Sequence, residues 1–269
     1  MKNKKPFADI LYFLNLINPF SKFIFINSDI LGIKIISYKF DVVGRTLFKT
    51  GHYERAVSTW LCNRFKGGGG VFIDVGANLG YYSCLFGKLA GEKGLVLSIE
   101  PEPQNLDLLR RNVQNNSVEN IVKILPVAVG ASEGVLTLNI YKNSNRGRHS
   151  FIAQGSGNKI DVPVKTLDSI VSDNIPDDSM IDFMKIDVEG YEPYVIEGAK
   201  NILHRVQCLL LEYSPTILEK LNINIYDFTS YLASEFDEVY SIKEDIMKHY
   251  DINDLKEEKD TFDLIFTRK

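Results

Sequence analysis

The chain has 269 residues, a formal net charge of -4, and 45% hydrophobic and 25% charged residues. This composition builds a folded globular core and argues against disorder along most of its length. The negative balance gives no general field for a polyanion, so duplex nucleic acid is not the expected partner. Cys62, Cys84 and Cys208 lie far apart with no CxxC spacing, which argues against a disulfide framework or a zinc site and fits a reducing cytoplasm.

In chain order, "FADILYFLNLINPFSKFIFI" (7–26) is apolar but broken by Asp9, Asn15, Asn18, Pro19 and Lys22. A spanning helix or a signal peptide is therefore disfavoured. The expected structure is a helix packed on the core, with weak association at a membrane surface as the alternative. "KFIFINSDILGIKIISYKFD" alternates as one or two strands, and "HYERAVSTWLCNRF" has helical apolar spacing. The run Gly67 to Gly70 separates this extension, residues 1–66, from a core expected over 67–269.

From Val71 the pattern alternates strand and helix: "VFIDVG", a helix from about Leu79 to Ala90, "LVLSIE", then a helix with Leu106, Leu109 and Val113 on one face. That alternation predicts an α/β fold, a parallel sheet covered by helices. "IVKILPVAVG", "IDFMKIDV" and "QCLLLEY" read as strands buried on both faces. "GVLTLNIY" and "KIDVPVKTL" flank a polar loop and predict a small β insertion, while "FDEVYSI" and "TFDLIFTR" complete the sheet with an antiparallel closing strand. The charged stretch between those last two is expected to be helical or irregular.

"VFIDVGANLGYYS" (71–83) is an apolar strand that ends in Asp74, Gly76, Asn78 and Gly80. In open α/β sheets a ligand lies beyond the carboxyl ends of the strands, where a strand turns into the next helix. Glycines there permit unusual dihedrals and close approach of a ligand, and the following helix offers unpaired N–H groups. The spacing lacks the third glycine of GxGxxG, which argues against NAD or FAD. One strand later, "LVLSIEPEP" puts Glu100 at a strand end, where a carboxylate can take both hydroxyls of a ribose. A ribose without a diphosphate cradle points to an adenosyl ligand, of which S-adenosylmethionine is the commonest. The alternative is a tight connection in which Asp74 only caps the helix.

"FMKIDVEGYEPYVIEGA" carries Lys185, Asp187 and Glu189 at the end of an apolar strand, with Glu192 close behind. Charges at such a position are costly unless paired or used. This strand is expected beside "VFIDVG", which would bring Asp187 and Glu189 to the same sheet edge as Asp74. The alternative is an internal ion pair of Lys185 with one carboxylate and a helix opening at Glu192. Mg²⁺ held by Asp187, Glu189 and Glu212 is a lesser alternative, since nothing in the spacing demands a metal.

"YERAV", "FIDVGANLGYYS", "IEPEPQNLDLLRRNVQNN", "PVAVGASEG", "VKTLDS", "MKIDVEGYEPYVIEGA" and "LLLEYSP" occur in that order between Tyr53 and Pro215. Together they resemble the FkbM-type family of S-adenosylmethionine-dependent methyltransferases. The resemblance implies a Rossmann-like seven-stranded methyltransferase sheet with helices on both faces, carrying the extension and the insertion. It implies that Asp74, Gly76, Asn78 and Gly80 line the methionine side of the cofactor, that Glu100 holds the ribose and that Pro101 packs near the adenine. Ala128 and Val129 would flank the adenine, Asp187 would line the transferred methyl, and Asn105 is a weaker cofactor candidate.

The resemblance further implies O-methylation of a hydroxyl on a sugar, glycan or secondary metabolite. Asp187 and Glu189 are the first candidates for base or substrate orientation, with His52 and His149 second. Glu54 could reach the site from the N-terminal helix, or form a surface ion pair. Lys142, Arg146 and Arg148 in "YKNSNRGRHS" could grip a phosphate or carboxylate of an acidic acceptor, or be a solvated loop. A noncatalytic adenosyl-binding scaffold and a nucleic-acid methyltransferase are the alternative functions.

Overall fold

The computed structural model describes residues 7–140, 159–243, 246–251, 254–255 and 257–269. The extension comprises α1 (Ala8–Ile17), a hairpin of β1 (Phe23–Asn27) and β2 (Lys34–Tyr38), then α2 (Val42–Thr50) and α3 (Arg55–Arg64). Asp41 caps α2 by accepting from Gly44 N, and Gly51 closes it in the left-handed region. The core runs β3 (Val71–Val75), α4 (Tyr81–Ala90), β4 (Leu95–Ile99), α5 (Pro103–Asn115), β5 (Val122–Leu125), β6 (Ala128–Val129), β7 (Gly134–Asn139), β8 (Lys159–Lys165) and α6 (Leu167–Asn174). It continues through β9 (Phe183–Ile186), α7 (Glu192–Glu197), β10 (Cys208–Tyr213), α8 (Pro215–Lys220), α9 (Ile225–Glu235), β11 (Glu238–Lys243), β12 (Ile246–His249) and β13 (Phe262–Thr267).

The main sheet has the order β12-β11-β13-β10-β9-β3-β4-β5. β10, β9, β3, β4 and β5 are parallel, and β13 closes antiparallel on β10. Seven of these strands are the expected methyltransferase arrangement. The eighth, β12, falls in the charged stretch read as helical or irregular; it pairs with β11 at the sheet edge, where Lys248 and His249 are exposed. Charged side chains suit an edge strand because they discourage further pairing.

"IVKILPVAVG" is two strands. Pro126 has no N–H to give the ladder, so β5 ends and β6 joins a separate three-stranded sheet with β8 and β7. That small sheet is the expected insertion.

Side-chain alternation divides the core in two. Ile73, Val75, Leu97, Met184 and Ile186 face α6, α7 and α9. Phe72, Phe183 and Leu210 face the other way, into one cluster with Phe86 of α4 and with Ile24, Ile35, Leu47 and Leu61 of the extension. The extension is also stitched to α5 by two asparagines one helical turn apart. Asn112 Oδ1 accepts from Ile36 N at 2.7 Å and Asn116 Oδ1 from Lys34 N at 2.9 Å, while their amides donate to the carbonyls of the same two residues. The helix thereby supplies the free edge of β2 with the bonds a third strand would make.

Candidate functional site

β3 and β4 end side by side, and their loops are tied by one carboxylate. Glu100 is buried and accepts from Asn78 N at 2.8 Å through Oε2 and from Glu102 N at 2.9 Å through Oε1. Glu102 in turn caps α5, accepting from Asn105 N at 2.7 Å, with Pro103 in the first turn. Burial pushes the Glu100 pKa up to about 7, against the pull of the two backbone donors. Asn78 itself is left-handed (φ 52°), a conformation asparagine tolerates better than most residues.

Asp74 is buried and accepts from Ser83 Oγ at 2.6 Å through Oδ2. Its other oxygen, Oδ1, has no partner, and the same holds for Asn78 Oδ1 and Asn105 Oδ1. A buried acceptor left unmet costs about 1–3 kcal/mol, so three of them around one cleft mark a place where a ligand brings donors. That cleft opens to solvent between the loops that follow β3, β4 and β9.

Of the residues expected at the site, Asp74, Gly76, Asn78, Glu100, Pro101, Asn105, Asp187 and Glu189 line this cleft. Gly80, Ala128, Val129 and His52 do not. A Cβ on Gly80 would meet Leu109 Cδ1 at 2.5 Å, so that glycine answers the packing of α4 on α5. Ala128 and Val129 are buried where β6 pairs with β8, and Leu138 of the same small sheet reaches the cleft instead. His52 is buried beside Thr50, whose Oγ1 donates to its carbonyl at 2.7 Å. His149 and the cations Lys142, Arg146 and Arg148 lie outside the described residues.

At the carboxyl edge of the sheet, alternation places a charged stripe on the face covered by the extension. Asp74 is in register with Lys185, and Glu212 with Asp263 on the next pair of strands. Lys185 is buried, and its Nζ bonds Asp187 Oδ2 at 2.7 Å and sits 5.0 Å from the ring centre of Tyr82. Burial alone would lower its pKa, but Asp187, Asp74 and Glu54 hold the ammonium above the usual lysine range. Burial raises Glu54, with Lys185 opposing, and it lifts Asp263 well above the carboxylate range with help from Glu54 and Asp187. Glu212 rises to about 7, first through burial and then through Asp187 and Glu192.

The internal ion pair offered as the alternative reading of Lys185 is therefore present, and it sits in the wall of the cleft. Glu192 opens α7, accepting from Val188 N and Gly190 N at 2.9 and 3.1 Å, which makes it a brace for the loop that carries Asp187 and Glu189. Sequence reasoning missed Tyr53, Tyr82 and Asp263. Both phenols are kept protonated by burial and by Glu54, which accepts from Tyr82 Oη. Glu54, at the N-cap of α3, is left-handed (φ 43°), a corner that costs a glutamate about 1–2 kcal/mol. Mg²⁺ finds no support: among the described residues no three His, Cys, Asp or Glu side chains are grouped so as to hold a metal ion.

Residues 74–250 match the Methyltransferase FkbM domain. The chain is 29% identical over 153 residues to methyltransferase sdnD of Sordaria araneosa, covering 47% of this chain and 59% of that protein. It is 28% identical over 145 residues to the hexuronic acid methyltransferase AglP of Haloferax volcanii, covering 53% and 55%. The chain thus matches little more than half the length of these curated relatives. A solved FkbM methyltransferase from Methylobacillus flagellatus superposes with a TM-score of 0.47 at 18% identity, over 74% of this chain and 43% of that one. With the domain match extending over more than half of its residues, the chain belongs to the FkbM methyltransferase family.

Proposed function

We propose that the protein transfers a methyl group from S-adenosylmethionine to a hydroxyl oxygen of a sugar, glycan or secondary metabolite. The observation that carries this reading is the set of unmet buried acceptors, Asp74 Oδ1, Asn78 Oδ1 and Asn105 Oδ1, around a cleft whose wall holds the Lys185–Asp187 pair. Amino and hydroxyl donors are what such acceptors require, and an adenosyl amino acid offers both. Asp74, Asn78, Glu100 and Asn105 would hold it. When bound, the cofactor supplies an electrophilic methyl carried on a sulfonium.

The protein's part is then to seat an alcohol and receive its proton. Lys185 fixes Asp187, which orients the hydroxyl, and Glu189 in the same cleft takes the proton. The phenols of Tyr53 and Tyr82 give the acceptor a partly apolar wall with donors held in place. Among the described charged residues that line the cleft, four are acids (Asp74, Glu100, Asp187, Glu189) and one is a base (Lys185). An acidic acceptor, as named for the Haloferax volcanii relative, would draw its cations from Lys142, Arg146 and Arg148. A cytoplasmic setting fits the three cysteines, all of them free.

Glu100 gives a pH signature. The ionised form that ribose hydroxyls need is the minority below a pKa of about 7 and the majority above it. Affinity for S-adenosylhomocysteine is therefore expected to rise about tenfold between about pH 6 and pH 8 by calorimetry, and to lose that rise in Glu100→Gln. Stability of the unliganded protein runs the opposite way. A carboxylate raised by folding contributes stability that is complete below its ordinary pKa and is lost as the pH climbs through the raised value. Absence of binding by folded protein would sink the cofactor assignment. Methyl transfer from labelled cofactor to sugars, with the product located by NMR, tests the rest: a methyl on nitrogen or carbon rather than oxygen would overturn the O-methylation reading.

A further inference from the structure

Helix α1 is apolar on both sides. Its inward side carries Ala8 and Tyr12, both buried, and is fixed by Tyr12 packing at a tilt against Phe48 and by the Asp9–Lys49 ion pair. Its outward side carries Ile10, Phe13, Leu14 and Ile17, spaced i, i+3, i+4, i+7 and each more than half exposed. A helix on the surface of a globular protein presents polar residues there. Further along the chain Phe20 is 96% exposed, and Phe25, on β1, is 71% exposed. Aromatic and aliphatic exposure gathered on one helix face marks an interaction surface.

The sequence on either side of the helix is basic. Lys2, Lys4 and Lys5 directly precede the helix in sequence, and exposed Lys22 lies between Phe20 and Phe25. The helix's one acid, Asp9, is neutralised by Lys49. This local excess of lysine contrasts with a chain whose net charge is -4. We propose that the outward face of α1, with Phe20 and Phe25, lies on an anionic lipid surface, the apolar side chains entering the headgroup region and the lysines meeting the lipid phosphates. Among the described residues no helix is long and apolar enough to cross a membrane, and a short helix with an apolar outer face flanked by lysines suits the plane of the interface. Anionic lipid satisfies the apolar residues and the lysines of this stretch of sequence together. α1 packs on α2, and α2 supplies Val43 to the cleft, so the docking face lies one helix away from the site.

The test is co-sedimentation of the full chain with vesicles of phosphatidylcholine alone or mixed with phosphatidylglycerol, alongside sedimentation equilibrium without lipid. Binding to the anionic vesicles is expected, at least about tenfold weaker on neutral ones and weakened by salt. Phe13→Ser with Phe20→Ser should abolish it while leaving S-adenosylhomocysteine affinity and Tm unchanged, because both side chains are exposed. If that pair disturbs folding, Ile17→Ser with Phe25→Ser serves in its place. Lys2, Lys4 and Lys5→Gln should remove the preference for anionic lipid. No vesicle binding by the wild type overturns the proposal, as does a dimer that the Phe13 and Phe20 variant dissolves.

Discussion

Lys185→Met is expected to lower stability by about 3 kcal/mol at pH 8, a fall in Tm of roughly 6–10 °C, and to reduce kcat by about a hundredfold or more. Lys185 is the buried cation that Asp187, Asp74 and Glu54 share, with Asp187 at 2.7 Å. Removing a buried cation leaves Asp74, itself buried, without its compensating charge in a poor solvent, which costs more than the interaction was worth. The pH dependence distinguishes this cause from simple loss of packing. Glu54, Asp263 and Glu212 already have raised pKa values, and without the ammonium they rise further. Protonation at low pH therefore relieves the variant, so its deficit should shrink as the pH falls from about 8 to about 5.5. A deficit that stays constant across that range, by thermal or urea unfolding, would show that the charge cluster is not what Lys185 supports. The effect on kcat follows separately from the role proposed for Asp187, which without its anchor would no longer orient an acceptor.

How much of this was legible in the sequence depended on whether a residue's role follows from its own strand. Asp74, Glu100, Asp187 and Glu189 end apolar strands, and a carboxylate at the carboxyl end of a parallel strand is already at the ligand edge. The cleft gathers all four. Asp263 was harder, because it joins the stripe only through the antiparallel register of β10 and β13, where it faces Glu212. "TFDLIFTR" does carry the signal, since Asp263 interrupts an apolar run, but only a known register shows what it meets. Tyr53 and Glu54 reach the stripe through the packing of the extension, a long-range contact that no local spacing encodes. The split of "IVKILPVAVG" was visible at Pro126 and was passed over because the flanking residues are as apolar as a continuous buried strand. Gly76 and Gly80 adopt the unusual dihedrals expected of them, and the close approach that each also permits is to the protein itself, at Asp187 and at Leu109.

Gly76→Ala is expected to be among the most damaging single methyl additions in the chain. Gly76 has φ +78°, and a Cβ there would lie 1.9 Å from the carbonyl oxygen of Asp187 and 3.0 Å from its carbonyl carbon. The left-handed backbone alone costs alanine about 1 kcal/mol. The collision is the larger part, because what must yield is main chain. Asp187 N donates to Val75 O at 3.1 Å, and Gly76 N and Ala77 N both donate to Ile99 O at 3.0 Å, so the peptide is pinned between β3, β4 and β9. Room for a methyl requires the loop after β9 to retreat, and that retreat draws Asp187 from Lys185 and opens the cleft floor. A loss of more than about 4 kcal/mol is expected, with no measurable affinity for S-adenosylhomocysteine in whatever protein folds. Gly80→Ala is the control. Its φ of +88° is as unfavourable, but its Cβ meets the tip of the Leu109 side chain at 2.5 Å. A leucine can change rotamer where a pinned peptide cannot, so this variant should lose only about 2 kcal/mol and keep cofactor affinity within a few-fold. Urea unfolding and calorimetry on the two proteins decide the matter. If Gly80→Ala proves the more damaging, the close approach of the β3 and β9 loops is not what demands a glycine at position 76.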